Sequence, residues 1–227
     1  MYGLTLKETS ERTRSTLVNG KFDDTKLIPY FKYRTKDKYK PVWEGLGCIT
    51  FSDGSKYQGM TKNGLFNGKG RMTHANGDIY QGDWIDGKAT GKGVFVDRHG
   101  SMYKGEWLND QYHGKGVETW NYGAIQYEGD FVEGKKTGKG KFSFDGNFYE
   151  GEFVDGQFHG EGKYYFADTG KIYEGDFQEN NIIGYGVMLW PDNRRYEGEF
   201  VNGRMEGKGT MTWPNGNSYK GMWKNDL

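Results

Sequence analysis

Hydrophobic and polar residues alternate with period two along most of the chain, the signature of half-buried strands rather than helices. An apolar position recurs two residues after each Gly-x-Gly, as Ile49, Met72, Phe95, Phe142, Tyr164, Met188 and Met211, with Glu118 as the exception. Two residues further on stand Phe51, Trp120, Phe144, Phe166, Trp190 and Trp213, interrupted by His74 and Asp97. The positions between them are mostly Lys, Arg, Thr, Ser or Val. A second stretch runs Tyr, Gly, aromatic, as in Tyr80 to Trp84, Tyr103 to Trp107, Tyr127 to Phe131 and Tyr149 to Phe153. It returns in Tyr173 to Phe177, Tyr196 to Phe200 and Tyr219 to Trp223. The pattern predicts paired strands with glycine and aromatics on one face and mostly polar residues on the other.

The pattern repeats. Tyr-x-Gly starts at 57, 80, 103, 127, 149, 173, 196 and 219, and Gly-x-Gly follows each tyrosine after 11 residues wherever the array continues. The reverse interval, from Gly-x-Gly to its own tyrosine, varies between 11 and 13 residues. A constant interval belongs where neighbouring units join, and a variable one where a loop tip absorbs an extra residue. Turn residues fall where this scheme needs them: Asp53-Gly54, Asn76-Gly77, Asp145-Gly146 and Asn215-Gly216 in one turn, and a Gly, Asn or Asp seven residues after every tyrosine in the other. The expected fold is all-β: an elongated, twisted, single-layer antiparallel meander of about eight β-hairpins, preceded by an extended N-terminal arm. Both glycines of each Gly-x-Gly are expected to form a floor for neighbouring rings, offsetting the usual cost of glycine inside a strand.

The unit Tyr-x-Gly-x-Trp/Phe, glycine turn, Gly-x-Gly resembles the membrane occupation and recognition nexus, or MORN, repeat. Tyr-Glu-Gly-Glu-Phe at 149–153 and at 196–200 is similar to its core. The resemblance divides the chain into a basic arm, residues 1–41, and eight repeats over residues 42–227. Thr61 in place of an aromatic, Glu118 and Asp97 on the apolar face, and Asn193 in place of a turn glycine depart from the pattern and are expected to weaken single hairpins.

Composition sharpens this picture. Glycine supplies 38 of 227 residues, well above the usual roughly 7%, yet aromatics reach 17%, so the chain is not a flexible linker. A single cysteine, Cys48, rules out an internal disulfide framework and a cysteine-based zinc site. The opening MYGLTLKETSERTR has no apolar run, so no signal peptide is expected, and no stretch approaches the roughly 20 apolar residues of a membrane helix. A cytoplasmic location follows as an expectation. Formal net charge is zero, but the arm holds ten basic residues against five acidic, and the remainder holds the reverse excess.

No catalytic, cofactor or metal site is expected. Gly-x-Gly, as in GKGVFV at 91–96 or GYGVML at 184–189, resembles half of a phosphate loop, but no third glycine follows and no catalytic motif accompanies it. His113 and His159 share one repeat slot, two units apart, and cannot converge on a metal; His74 takes an aromatic slot and is expected to pack. The acids three residues after six of the tyrosines (Asp83, Glu106, Asp130, Glu152, Asp176 and Glu199) and the lysines inside Gly-x-Gly (Lys69, Lys92, Lys115, Lys139 and Lys208) read as charge ladders on the solvent face.

Three surfaces remain for function. On the aromatic face, Tyr80, Trp84, Tyr103, Trp107, Trp120, Tyr127, Phe131, Tyr149, Phe153, Tyr173, Phe177, Trp190, Tyr196, Phe200, Trp213, Tyr219 and Trp223 either line an exposed groove for a partner or cover one another. On the arm, Lys32, Arg34, Lys36, Lys38 and Lys40 occupy every second position and suit an acidic protein surface or act as a solvated linker. The last hairpin, Tyr219–Trp223, offers an edge for a partner strand or a second copy. The resemblance implies a non-catalytic scaffold binding other proteins of a large cytoskeletal assembly, most of all the ciliary or flagellar axoneme and its radial spoke head. The alternatives are a peripheral, phospholipid-binding adaptor and a regulatory subunit acting in trans on an enzyme. Nucleic acid is not among the expected partners. The acidic body argues against an anionic leaflet, where only the arm could bind.

Overall fold

The computed structural model describes residues 17–18, 21–22, 32–37 and 40–227, with side chains from residue 44 onward. The described elements are β-strands and a single 3-10 turn, Asn121–Gly123. Two short strands, β1 (Leu17–Val18) and β2 (Lys21–Phe22), pair antiparallel. β3 (Lys32–Asp37) pairs antiparallel with β4 (Lys40–Thr50), setting Lys32 opposite Glu44 in register.

The chain divides into two compact units, one ending at Gly114 but including Trp120–Tyr122, the other formed by residues 115–119 and 123–227. In the first, β4 continues into β5 (Lys56–Lys62), β6 (Leu65–Thr73), β7 (Ile79–Ile85), β8 (Lys88–Val96) and β9 (Met102–Leu108), each antiparallel to the one before. β10 (Gln111–Trp120) contributes residues to both units. In the second unit the same meander runs through β11 (Ile125–Val132), β12 (Lys135–Phe144), β13 (Asn147–Val154), β14 (Gln157–Phe166) and β15 (Lys171–Gln178). It closes with β16 (Asn181–Leu189), β17 (Arg195–Val201), β18 (Arg204–Thr212) and β19 (Ser218–Trp223). The all-β meander of hairpins expected from the repeat is what folds.

Turn chemistry differs at the two ends of each hairpin. The turn after each aromatic places two consecutive residues at positive φ, as at Asn63-Gly64, Glu133-Gly134 and Asn202-Gly203. This is the two-residue turn whose twist matches antiparallel strands; it favours Gly, Asn or Asp, which fill the second position throughout, while Glu133 and Glu179 take the first position in two hairpins. Most opposite turns need one such residue, for example Gly54 (φ 92°), Gly77 (φ 95°) and Asn193 (φ 66°). Asn193 therefore keeps the conformation that glycine supplies elsewhere, since asparagine tolerates the left-handed region.

The core of each unit is its own tyrosine face. Seven of the eight repeat tyrosines, from Tyr57 to Tyr196, are 0–4% exposed. Trp84, Trp107, Phe131, Phe153, Phe177 and Phe200 are buried beside them. Thr61, in the first aromatic slot, is also buried, and its hydroxyl donates to the carbonyl of Gly45 at 3.3 Å.

Candidate functional site

Tyr57, Tyr80, Tyr127, Tyr149, Tyr173 and Tyr196 each lie over a glycine pair, and every repeat tyrosine is held by its hydroxyl. The hydroxyl donates to the carbonyl three residues on: Tyr57 to Met60 at 2.7 Å, Tyr127 to Asp130 at 3.0 Å and Tyr149 to Glu152 at 2.8 Å. The same bond forms in every other repeat. Gly129 and Gly140 stand opposite one another across β11 and β12, and the Tyr127 ring covers both. A Cβ on Gly140 would lie 2.6 Å from the Tyr127 hydroxyl oxygen and 2.7–2.8 Å from its ring. The second glycine of Gly-x-Gly is therefore the ring floor that the sequence suggests.

The first glycine has another task. Gly138 and Gly207 sit at φ 56° and 62°, and a Cβ there would meet the carboxylate side chains of Asp130 and Glu199, not a ring. Pairing slips by two residues at this point, with Gly129 opposite Gly140 and Asp130 opposite Thr137, so the first glycine and its neighbour form a β-bulge. The acid three residues after the tyrosine satisfies the bulge: Asp83 accepts the amide of Lys92 at 2.9 Å, and Asp176 that of Tyr185 at 2.9 Å. The expectation of one ring floor for both glycines is corrected accordingly. The acids are not only ladder charges, although Lys69–Asp83 and Lys115–Asp130 do pair at 2.6 Å.

The aromatic face resolves toward mutual cover. Tyr80 meets Trp84 edge-on at 5.0 Å and Trp107 of the next repeat at 4.8 Å; Tyr173 meets Phe177 at 5.3 Å and Phe200 at 5.0 Å. Edge-to-face pairs of this kind add about 0.5–1.5 kcal/mol each beyond burial. Tyr80, Trp84, Tyr103, Trp107, Tyr127, Phe131, Tyr149, Phe153, Tyr173, Phe177, Tyr196 and Phe200 are thus core residues, closed to a partner in this arrangement. Trp120, Trp190 and Trp223 are half-buried, and Trp213 and Tyr219 are exposed, at 36% and 48%. Met222 on the same last strand is 66% exposed.

Lys32, Arg34 and Lys36 lie on β3 and Lys40 opens β4, while Lys38 falls outside the described residues, as do the side chains of all five. His74 is exposed in a turn rather than packed, its amide bonded to the Asp78 carbonyl, although Phe51, Phe144 and Phe166 are half-buried in the same slot of other repeats. His113 and His159 lend only their carbonyls, which accept from Tyr103 and Tyr149 at 3.3 and 3.1 Å.

Sequence reading missed two positions. Nine residues after the tyrosine, three repeats place a ring on its ring: Phe66 stacks on Tyr57 at 3.8 Å, Tyr112 on Tyr103 at 3.7 Å and Phe158 on Tyr149 at 3.9 Å. In the fourth repeat this position is Lys136, 5.3 Å from the Tyr127 ring centre and ion-paired at 2.7 Å with Glu118. The two polar departures therefore compensate each other. The residue after most core aromatics is a second, exposed apolar position: Ile85, Leu108, Val132, Val154 and Val201 are 42–53% exposed, and Gln178 after Phe177 is the exception. The signal was present in the sequence as an apolar position out of phase with the core.

Among the described residues no cluster of His, Cys, Asp or Glu could hold a metal, and no helix is long and apolar enough to cross a membrane. No curated protein matches the chain closely enough to count as a relative. Among solved structures, it resembles the SAS-4 (dCPAP) TCP domain of Drosophila melanogaster, in complex with a proline-rich motif of Ana2, at 13% identity and TM-score 0.43, covering 86% of this chain and 99% of that one. The TCP10 domain of Danio rerio CPAP, in complex with a STIL peptide, aligns at 12% identity and TM-score 0.30 over 86% and 100% of the two chains. Likenesses this distant carry no functional inference. The MORN repeat, by contrast, matches at residues 42–56, 57–79, 80–102, 103–123, 127–147, 149–171, 173–193 and 196–218, in step with the tyrosines, and the chain belongs to the MORN-repeat family.

Proposed function

We propose that the chain is a non-catalytic scaffold that binds other proteins within a large cytoskeletal assembly. The observation that carries this reading is the exposed aliphatic row. Ile85 and Leu108 in the first unit, and Val132, Val154 and Val201 in the second, occupy this slot in five of the eight hairpins, on the side opposite the tyrosines, where nothing in the core needs them. Repeated apolar residues on a solvated sheet face suit a protein contact. Meanwhile the chemically versatile groups are occupied: tyrosine hydroxyls hold backbone carbonyls, and acids hold bulge amides.

The narrower placement, a cytoplasmic role in the ciliary or flagellar axoneme and its radial spoke head, rests on the resemblance alone. Partner strands or a second copy at the last hairpin, where Tyr219 and Met222 are exposed, belong to the same proposal. Chemical cross-linking and affinity purification of the full chain from ciliated cells tests it. Axonemal or other cytoskeletal proteins should be recovered, cross-linked through the hairpin faces. Recovery of a single enzyme, or salt-sensitive cosedimentation with anionic vesicles in place of protein partners, would overturn it.

A further inference from the structure

The charge ladder breaks on the outer face of β14 to β16. In β6, β8 and β12 the residue between the paired glycines is lysine, set opposite an acid: Lys69 opposite Asp83, Lys92 opposite Glu106 and Lys139 opposite Glu152. In β14 that residue is Glu161, and the register sets it directly opposite Asp176. In β16 it is Tyr185, opposite Glu199. Like charges placed across a strand pair are destabilising, so the fold itself gains nothing from Glu161.

A groove of about 600 Å³ opens where the lysines are missing. Its side-chain walls are Glu150, Glu161, Lys163, Glu174, Asp176, Tyr185 and Val187. Lys163 is held by Glu174 at 2.6 Å and Lys141 lies 3.7 Å from Glu150, so four carboxylates meet two cations that are already paired. On the same face, two residues along the strands from Glu150, Lys163 and Glu174 and four from Glu161 and Asp176, runs an unbroken apolar row. Phe148 stands opposite Tyr165, Tyr165 opposite Ile172, and Ile172 opposite Leu189. All four are half-buried, and the rings of Phe148 and Tyr165 stack at 5.6 Å. The equivalent slots elsewhere are largely polar, as at Thr212 and Ser218; a shorter apolar run, Ile79–Val96–Met102, crosses β7 to β9, but there Lys92 stands where β14 has Glu161.

We propose that this face docks an amphipathic α-helix of a partner protein, its apolar stripe on Phe148–Leu189 and an adjoining lysine- or arginine-rich stripe over the Glu161–Asp176 groove. Charge complementarity selects the basic flank. Spacing suits a helix laid across the strands: its turns recur every 5.4 Å and the strands about every 4.8 Å, so successive turns meet successive strands over the four-residue row. The inference rests on the scaffold reading and gives it one partner chemistry.

Two synthetic helices of about 18 residues test it by fluorescence anisotropy against the full chain. Both carry leucine at i, i+4, i+7 and i+11, one with lysines on the flank and the other with glutamates in their place. The lysine helix should bind saturably and more weakly as salt rises, and the glutamate helix should not. Glu161→Lys, which restores the lysine of the other hairpins, should weaken binding about tenfold while leaving the thermal midpoint unchanged or raised. Leu189→Ser should weaken binding to a similar degree, and Glu161→Gln should fall between. Equal binding of both helices, or undiminished binding by Glu161→Lys, would overturn the site. So would a dimer of the chain in sedimentation velocity that Glu161→Lys dissociates, which would assign the face to a second copy. Protein partners cross-linked elsewhere, with recovery unaffected by Glu161→Lys, would overturn this docking face and leave the scaffold standing.

Discussion

Glycine does two physically different jobs in this repeat, and substitution separates them. Gly140 lacks space: its hypothetical Cβ falls 2.6 Å from the Tyr127 hydroxyl oxygen, on a ring pinned by its bond to Asp130. Gly156 has open space but sits at φ 82° in a two-residue turn. Gly140→Ala should therefore cost about 1–3 kcal/mol or more, as overpacking does, and no small residue should rescue it. Gly156→Ala should cost about 1–2 kcal/mol from left-handed strain. Gly156→Asn should recover most of that, because Asn180 already fills the equivalent slot at φ 67° in another hairpin. Urea midpoints of the three variants check the ordering. Tyr127→Phe should cost about 1–3 kcal/mol, because it leaves the carbonyl of Asp130 without its 3.0 Å donor.

Within one hairpin, polar residues on the core face need not weaken it. Glu118 occupies a slot filled elsewhere by Ile49, Met72 or Phe142, and Lys136 one filled by Phe66, Tyr112 or Phe158. Their side chains are about one-fifth exposed and paired at 2.7 Å, with the Lys136 ammonium also near the Tyr127 and Phe131 rings. Removing one partner strands the other in a nearly dry site. Lys136→Phe or Glu118→Phe alone should each destabilise by about 1–3 kcal/mol, less than the loss expected for a fully buried pair. The double substitution to Glu118→Phe and Lys136→Phe, which recreates the pattern of neighbouring repeats, should return stability to the parent value or above. A thermodynamic cycle from chemical denaturation measures the coupling; additive single and double effects would rule the compensation out. The pair also marks the limit of sequence reading. Strand periodicity and turn residues made the hairpins and most core slots legible, because each depends on local spacing. Glu118 read as a flaw because its partner lies 18 residues away, beyond any period-two pattern. The bulge role of Gly138 was hidden for a related reason: adjacent glycines look alike in sequence and differ only in register. The exposed row from Ile85 to Val201 was readable but masked by the stronger aromatic signal beside it.

At the scale of the whole molecule the shared chemistry of the repeats becomes a single pH response. Burial raises the phenol pKa of Tyr149 and Tyr196 to about 12. It lifts Tyr57, Tyr80, Tyr127 and Tyr173 further still. Folding thus favours the neutral phenol, and an unfolded tyrosine ionises near pH 10. The stabilisation is fully present below that value and is lost as pH climbs from about 10 through the folded-state values, because only the unfolded chain releases its protons readily there. Six tyrosines acting together make the loss steep. The denaturation midpoint should hold level from pH 7 to about 9 and then fall sharply toward pH 12. Absorbance at the phenolate band should show the core tyrosines ionising together with loss of near-ultraviolet circular dichroism, not before it. A stability profile that stays flat through pH 11, or core ionisation with tertiary structure intact, would show that the rings are more open to water than their packing over the glycine pairs requires. The Phe variant of Tyr127 supplies the internal control. Having lost one titrating group, it should start less stable than the parent and decline less steeply with pH above 10.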